Sequence, residues 1–266
     1  KKDFQLRERS RAYALTHSTF YLLRKLGLWE PLKQYLTPFN KLFVIDDETK
    51  ISVLFKSTDL PSNLHTLNIG WIIEHSDLMR LIFKYMDRMP LISTNFGQTY
   101  NPLIASKNLV IAADGPNSKY RKEWGISSYN IKYSQGCLTA KVLIRGAKDS
   151  TSYEVFRKEG PLAILPMGGE KYQVVWSAPL TMCNQRSLLN PSTFLDKLAS
   201  VLPNDLQPDV LLDKPTSFPL GLSVTSKLFK GRGILVGESA HLCHPVGGQG
   251  LNLCLRDVNE LLNLIP

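Results

Sequence analysis

The chain has 266 residues, 43% of them hydrophobic and 21% charged, and its 32 Lys+Arg outweigh 23 Asp+Glu to give a net charge of +9. Those proportions are ordinary for a soluble globular protein, and the longest apolar runs break well short of a membrane span. The basic residues are scattered and accompany no recognition-helix or RNA-binding signature, so they suit a solvated surface, an anionic membrane or a phosphorylated ligand better than nucleic acid.

Residues 1–3 open a charged segment rather than an apolar one, which predicts no secretory leader. Residues 18–28 read as a helix with Leu15, Leu22, Leu23 and Leu26 on one face and Gly27 near its end. Residues 42–45 and 51–55 read as a hairpin: Ile51, Val53 and Phe55 alternate strictly, and Asp46, Asp47 and Glu48 supply the turn. A short strand at 71–73 leads into a helix bearing Leu78, Leu81, Ile82 and Tyr85. Residues 109–113 form a continuous apolar strand, the pattern of a parallel sheet covered on both faces.

Further strands are predicted near 137–144, 162–165 and 172–176, then a helix after Pro191 with Phe194, Leu195, Leu198 and Val201 inward. Pro203 and Pro208 punctuate the loop beyond it. A strand at 233–236 and a final helix, on which Leu251, Leu255, Val258, Leu262 and Ile265 recur at helical spacing, close the chain. The strands are of two kinds. Those at 109–113 and 233–236 suit an α/β nucleotide-binding layer, whereas those at 42–55 and 137–176 suit an antiparallel sheet with one covered face. The two kinds alternate along the chain, which predicts two interleaved domains.

Two segments carry chemistry. Strand 233–236 feeds Gly237, Glu238, Ser239, Ala240 and His241, then Pro245, Gly247, Gly248, Gln249, Gly250, Leu251 and Asn252, where the last helix begins. Free backbone N–H groups and the positive end of the helix dipole gather at such a start, which favours an anion or an electron-rich ring edge. Asp114 and Gly115 form a tight turn directly after strand 109–113, with Ser118 and Arg121 downstream, and place a carboxylate and an arginine at the sheet's carboxyl edge. The four cysteines (Cys137, Cys183, Cys243, Cys254) contain no C-x-x-C pair and read as reduced thiols of a cytoplasmic protein. His241, Cys243 and His244 match no common zinc spacing, so no metal is expected.

Together the two segments resemble the FAD-dependent aromatic hydroxylases, the single-component flavoprotein monooxygenases. That family carries a D-G turn followed at long range by G-D-A-A-H-x-x-x-P-x-G-G-Q-G-x-N, and the present chain matches the long motif from Gly237 to Asn252 with Glu238 in place of aspartate and Ser239 in place of the first alanine. Within the family the likeness is to the ubiquinone-biosynthesis hydroxylases of polyprenylated phenols. It rests on Arg11 to Leu15 with Leu26 to Trp29, Trp71 to His75, Tyr133 with Gln135, Gly160 to Pro166, and Val174 to Ser177.

The resemblance implies an α/β fold: a Rossmann-like FAD-binding layer of the para-hydroxybenzoate-hydroxylase type, interleaved with an antiparallel-sheet substrate domain. The first is expected over 1–36, 70–125 and 228–266, the second over 37–69 and 126–227. It further implies that Arg11, Asp114, Gly115, Glu238, Gly248, Gly250, Leu251 and Asn252 contact FAD. Glu238 is expected near the ribityl and pyrophosphate region, and Gly248 to Asn252 against the pyrimidine side of the flavin. Glu74 is a further polar contact by the same likeness. His244 and Pro245 are candidates for the flavin face, His244 in a structural capacity rather than as an acid or base.

The implied activity is hydroxylation of an aromatic ring, on a possibly polyprenylated substrate of quinone synthesis, with O2 and with NAD(P)H reducing the flavin. Peripheral contact of a cytoplasmic protein with the inner face of a membrane would follow. A related flavoprotein reductase of the prenyl-reductase type and a degenerate flavin-fold scaffold are the competing readings. The family's G-x-G-x-x-G loop, which cradles the FAD diphosphate, is absent from the sequence, and residues 90–102 read as a join across missing strands. The expectation is therefore of a protein longer than these residues.

Overall fold

The computed structural model describes residues 11–62, 68–97 and 109–264. The expectations about residues 1–3 and Ile265, and the part of the 90–102 join from residue 98 onward, lie outside the described residues. In chain order the elements begin with β1 (Ala12–Leu15), α1 (His17–Lys25), α2 (Trp29–Leu32), β2 (Thr37–Phe39), β3 (Lys41–Asp46), β4 (Ser52–Lys56), β5 (Gly70–Glu74) and α3 (His75–Met86). Next come β6 (Val110–Ala112), α4 (Lys119–Glu123), β7 (Ser128–Arg145), β8 (Thr151–Phe156), β9 (Leu162–Pro166) and β10 (Lys171–Pro179). The rest is α5 (Leu180–Ser187), α6 (Pro191–Ala199), β11 (Gln207–Leu211), β12 (Thr216–Thr225), β13 (Phe229–Lys230), β14 (Gly233–Leu235), β15 (His241–Leu242) and α7 (Gln249–Leu264).

These elements form two compact units, each discontinuous in sequence: Lys1–Ile82 with Ser134–Leu220, and Phe83–Tyr133 with Gly221–Pro266. The boundaries differ from those expected. Residues 11–36 and 70–82 group with the first unit, and 126–133 and 221–227 with the second.

In the first unit β1, β5 and β2 make a small antiparallel sheet with β5 in the middle. Helix α1 packs Phe20, Leu22 and Leu23 inward and stops where Gly27 turns left-handed at φ +70°, a conformation that closes a helix without strain only for glycine. Leu26, expected on the inward face, is the capping residue between the helix and that glycine and is exposed. The ring of Trp71 on β5 stacks on Phe20 at 5.4 Å and meets Trp29 edge-on at 4.9 Å, so an aromatic cluster locks α1 and α2 to β5.

The larger sheet of this unit runs β7, β10, β9, β8, β3, β4, with β11 also on β7. Its core lies under β7–β10, where Leu138, Val142, Ile164, Val174 and Trp176 meet Phe194 and Leu198 of α6. Helix α6 starts where sequence chemistry demands, with the Asn190 carboxamide oxygen accepting from the Thr193 N–H and Pro191 in the first turn. Two expectations need correction. The sheet is mixed, because β3 pairs β8 in parallel. Parallel neighbours require a long connection, and here the chain from Asp46 to Thr151 supplies one. Strand β4 also keeps no buried face: it ends the sheet, all its residues are exposed, and the core reaches only to Phe43 and Ile45 of β3.

Glu74, at the end of β5, ties the two sheets of this unit together. Its carboxylate oxygens take the ammonium groups of Lys141 on β7 and Lys171 on β10, each at 2.5 Å. Burial alone would raise the Glu74 pKa, but hydrogen bonds and charge from the two lysines outweigh it and hold the group below its ordinary 4.5. A carboxyl whose folded value is depressed stabilises the fold above its unfolded pKa, and that contribution disappears as pH falls through the folded value. Glu74→Gln is therefore expected to lower Tm at neutral pH and to flatten its decline below pH about 4.5. A Tm-versus-pH series in which wild type and variant run parallel would sink this assignment.

In the second unit β6 and β14 pair in parallel, with β13 antiparallel on the far side of β14. Ala112, Ile126, Leu235 and Ala240 form its small core, with Tyr120 and Trp124 packed against it. Strand β6 corrects a further expectation. Ala112 is buried but Ile111 is 48% exposed, because among the described residues β6 ends this three-stranded sheet and lacks the two-sided cover its composition predicts. Strands β7 and β12 each run through both units. Among the described residues no helix is long and apolar enough to cross a membrane.

Candidate functional site

All of the singled-out residues except two, Arg11 and Glu74, fall in the second unit, along the path from β14 to α7 and at the turn after β6. Past β14 the chain turns at Gly237, whose φ of +66° and close neighbour, the Cys254 Sγ only 3.1 Å from where a Cβ would stand, leave room for no side chain. Glu238 follows on the exposed side of a single 3-10 turn. Ser239 is fully buried. Its Oγ accepts from the Val236 N–H and lies 2.6 Å from the Ala112 carbonyl, which ties this turn to the end of β6.

The glycine loop then brings Gly247 and Gly248 into the left-handed region in succession, at φ +69° and +62°. Few residues other than glycine tolerate one such position and almost none a pair. The double turn delivers the chain into α7, whose first-turn N–H groups lack intrahelical acceptors and whose first turn carries no acidic residue to occupy them. Asn252 is wholly buried and donates its side-chain N–H to the Gly248 carbonyl at 2.9 Å, fixing the loop from beneath. Leu251 is half-buried on the same turn.

The turn after β6 is placed by its own short helix. Gly115 adopts φ +84°, and the Asp114 Oδ2 accepts the Lys119 N–H at 2.8 Å at the start of α4. Asp114 itself is exposed, so one of its oxygens stays available to a ligand while the other positions the turn. Arg121 was expected to share an open crevice with this carboxylate. It is buried instead, 7% exposed, and its guanidinium donates to the Ser239 carbonyl at 2.7 Å and the Pro116 carbonyl at 2.6 Å. A planar guanidinium can span two carbonyls at once, so Arg121 staples the D-G turn to the Glu238 turn.

His244 sits half-buried with its ring 6.0 Å from that of Tyr133, and burial depresses its pKa, which favours a neutral imidazole. Pro245 is half-buried beside it. The two thiols near Glu238 are held protonated. Burial, then the Glu238 charge, raises Cys243, and burial with Glu238 and Asp257 pushes Cys254 up to about 11. Neither supplies a nucleophile at neutral pH.

Arg11 belongs to the first unit, where its guanidinium lies 5.1 Å from the centre of the Phe218 ring. Glu74, which the likeness suggested as a polar contact, is committed to Lys141 and Lys171.

Gly250 shows what the loop is shaped for. It lies within α7, its φ is not left-handed, and a Cβ added there meets no protein atom within 4 Å outside the helix's own backbone. Glycine costs a helix about 1 kcal/mol relative to alanine, and neither backbone conformation nor packing among the described residues requires it here. A group seated against the backbone of this turn would require it. The donor set, N–H groups at a helix start without a competing carboxylate, suits the electron-rich edge of a flavin.

The "FAD binding domain" family model matches residues 104–265, more than half of the chain. The chain belongs to the FAD-binding domain family. Its cofactor is FAD. The matched span contains Asp114, Gly115, Glu238 and the whole glycine loop.

Among curated proteins the chain is 29% identical over 272 residues to an uncharacterized protein of Synechocystis, slr1300, covering 96% of this chain and 65% of that one. It is 25% identical to the 3-demethoxyubiquinol 3-hydroxylase of Escherichia coli, covering 96% of this chain and 68% of the relative. The chain thus spans about two thirds of the length of the curated relatives it matches. Among solved structures, PqsL, a probable FAD-dependent monooxygenase from Pseudomonas aeruginosa, superposes with a TM-score of 0.76 at 15% identity, covering 97% of this chain and 76% of that one. The α/β architecture expected from the sequence is accordingly that of the FAD-dependent monooxygenases.

Three contributors to the site escaped the sequence reading: Ser239 and Arg121 as links between its two turns, and Asp257 on α7. The Asp257 Oδ2 accepts from both the Gly237 N–H and the His241 Nε2, each at 2.7 Å. Asp257 falls between the apolar positions Leu255 and Val258 of α7, so the pattern gave no signal of its role.

Proposed function

We propose that the protein is an FAD-dependent monooxygenase that hydroxylates an aromatic ring, with a prenylated phenol of quinone biosynthesis as substrate. The observation that carries this is the open face that Gly250 leaves on the first turn of α7, which fits a flavin edge, in a chain aligned over 96% of its length with a demethoxyubiquinol hydroxylase. In balance, substrate C–H, O2, NAD(P)H and a proton give the phenol C–OH, NAD(P)+ and water. FAD, when bound, supplies the redox chemistry that joins NAD(P)H to O2.

The chain's own residues hold and orient. The glycines let the backbone of 247–250 approach the cofactor, and the N–H groups and dipole of α7 favour negative charge on the reduced ring. Glu238 and the free oxygen of Asp114 are the carboxylates for cofactor hydroxyls. Neutral His244, beside Tyr133, lines the flavin face without carrying a fixed charge. Arg11, a cofactor contact by the family likeness, belongs to the first unit. The net charge of +9 supports peripheral contact with an anionic membrane, where a prenylated substrate resides.

Oxygen uptake by the purified protein with FAD and NAD(P)H tests the reading. Uptake is expected to rise on adding a prenylated phenol, with the product heavier by one oxygen atom in mass spectrometry. NAD(P)H oxidation that reduces the substrate without oxygen incorporation would instead make it a reductase, and failure to form any yellow complex would make it a scaffold. Sedimentation of the same preparation with anionic vesicles at low salt is expected, and its absence would remove the membrane contact.

A further inference from the structure

We infer that Asp257 is a positioning residue for the cofactor, holding the Glu238 turn and the glycine loop at the spacing FAD requires; this rests on the FAD reading above. The Glu238 turn and the helix that the glycine loop opens are joined at this side chain. Asp257 is carried by α7, the helix that the glycine loop opens, and its Oδ2 takes the N–H of Gly237 and the Nε2–H of His241 at 2.7 Å each. Those two donors bracket Glu238, one residue before it and three after. One carboxylate oxygen therefore sets both ends of the Glu238 turn against a helix whose first turn faces the flavin.

The surroundings make that link hard to replace. Gly237 is left-handed and lies against Cys254, one turn before Asp257 on α7, so the turn has no side chain of its own at that point with which to grip the helix. The hydrogen bonds from Arg121 and Ser239 run toward the D-G turn and β6, and toward α7 the Asp257 carboxylate is joined only by a weaker thiol contact, the Cys254 sulfur against the Glu238 backbone. Asp257 and His241 are each only about a quarter exposed, at 29% and 26%, so the pair is sheltered without being sealed. Charge-assisted bonds in such a setting are stronger than neutral ones and more restrictive in geometry.

Two variants separate positioning from simple support of the fold. Asp257→Ala removes both bonds. Asp257→Asn keeps one oxygen that can accept from Gly237 or His241. FAD affinity, followed by quenching of flavin fluorescence on titrating apo-protein, is expected to fall roughly 10- to 100-fold for Asp257→Ala, the range for losing one or two such bonds. Asp257→Asn is expected to recover most of it, to within about fivefold of wild type. The Tm of the apo-protein serves as the second reading.

Equal losses of Tm in apo- and FAD-loaded Asp257→Ala, with unchanged FAD affinity, would overturn the assignment in favour of a purely structural role. So would an Asp257→Asn variant as weak in FAD binding as the alanine variant. A wild-type protein that binds no FAD would instead remove the reading on which the assignment rests, and the two failures are distinct.

Discussion

Replacing Gly250 with valine is expected to yield a folded protein that no longer retains FAD. The usual reason for a helical glycine, crowding by a neighbour, is missing here: no protein atom outside the helix backbone comes within 4 Å of the added Cβ. Gly233, by contrast, would drive its Cβ to 2.5 Å from the Trp124 ring and is required by packing. Valine at 250 also has a slightly better helix propensity than glycine, so apo-protein stability is expected to hold or rise by a few tenths of a kcal/mol. Two branched methyl groups would nevertheless stand in the space assigned to the flavin edge. The measurement is flavin absorbance after desalting, beside a melt of the apo-protein. A variant that keeps a full complement of flavin refutes the placement of the ring at this turn. One that loses both flavin and fold shows that Gly250 serves packing after all.

The second large effect is expected at Arg121. Its guanidinium is buried and supplies a hydrogen to each of two main-chain carbonyls, at Ser239 and Pro116. Arg121→Met preserves much of the stem volume but leaves the carbonyl of buried Ser239 without its donor and that of exposed Pro116 to water, and charged hydrogen bonds of this kind are worth about 1.5–3 kcal/mol each. A loss of roughly 3 kcal/mol in unfolding free energy is expected, as such losses do not add fully. Arg121→Lys should recover only part of it, since an ammonium on a flexible stem does not reproduce a planar fork. Urea denaturation gives the answer through the shift in midpoint at constant slope. A methionine variant within 1 kcal/mol of wild type would show that water replaces the staple freely.

The two effects differ in how visible they were in the sequence. Gly250 belongs to a motif of fixed spacing, and the reading there depended only on local chemistry: left-handed glycines, a helix start, no first-turn carboxylate. The paired extended segments 41–46 and 52–56 and the α6 helix after Asn190 were legible for the same reason, each being set by turn or cap residues within a few positions. Arg121 was visible as a residue but not as a staple. Its partner, the Ser239 carbonyl, lies on a distant segment, and main-chain acceptors leave no trace in side-chain identity.

Burial was the least legible property. Residues 109–113 have the composition of a fully covered strand, yet cover depends on which elements stand beside them, and Ile111 lies at the end of its sheet. Alternation in β4 was read as one covered face for a similar reason. The pattern records which residues share a face; it cannot record whether another layer lies over that face. The parallel β3–β8 pair was beyond sequence reading, because its register is set by neighbours contributed from far along the chain.

The interleaving has a consequence for how the protein is made. The chain passes between units after Ile82, after Tyr133 and after Leu220. A ribosome delivers residues from the N-terminus, and most multidomain proteins use that order to finish one domain before the next emerges. Here the first unit cannot close until β11 and the start of β12 have left the exit tunnel, and the second waits for α7. For most of translation the exposed strands of both units coexist on an incomplete chain. The protein is thus expected to draw on chaperones during synthesis more than its size suggests, and neither unit can be obtained by simply cutting the gene in two.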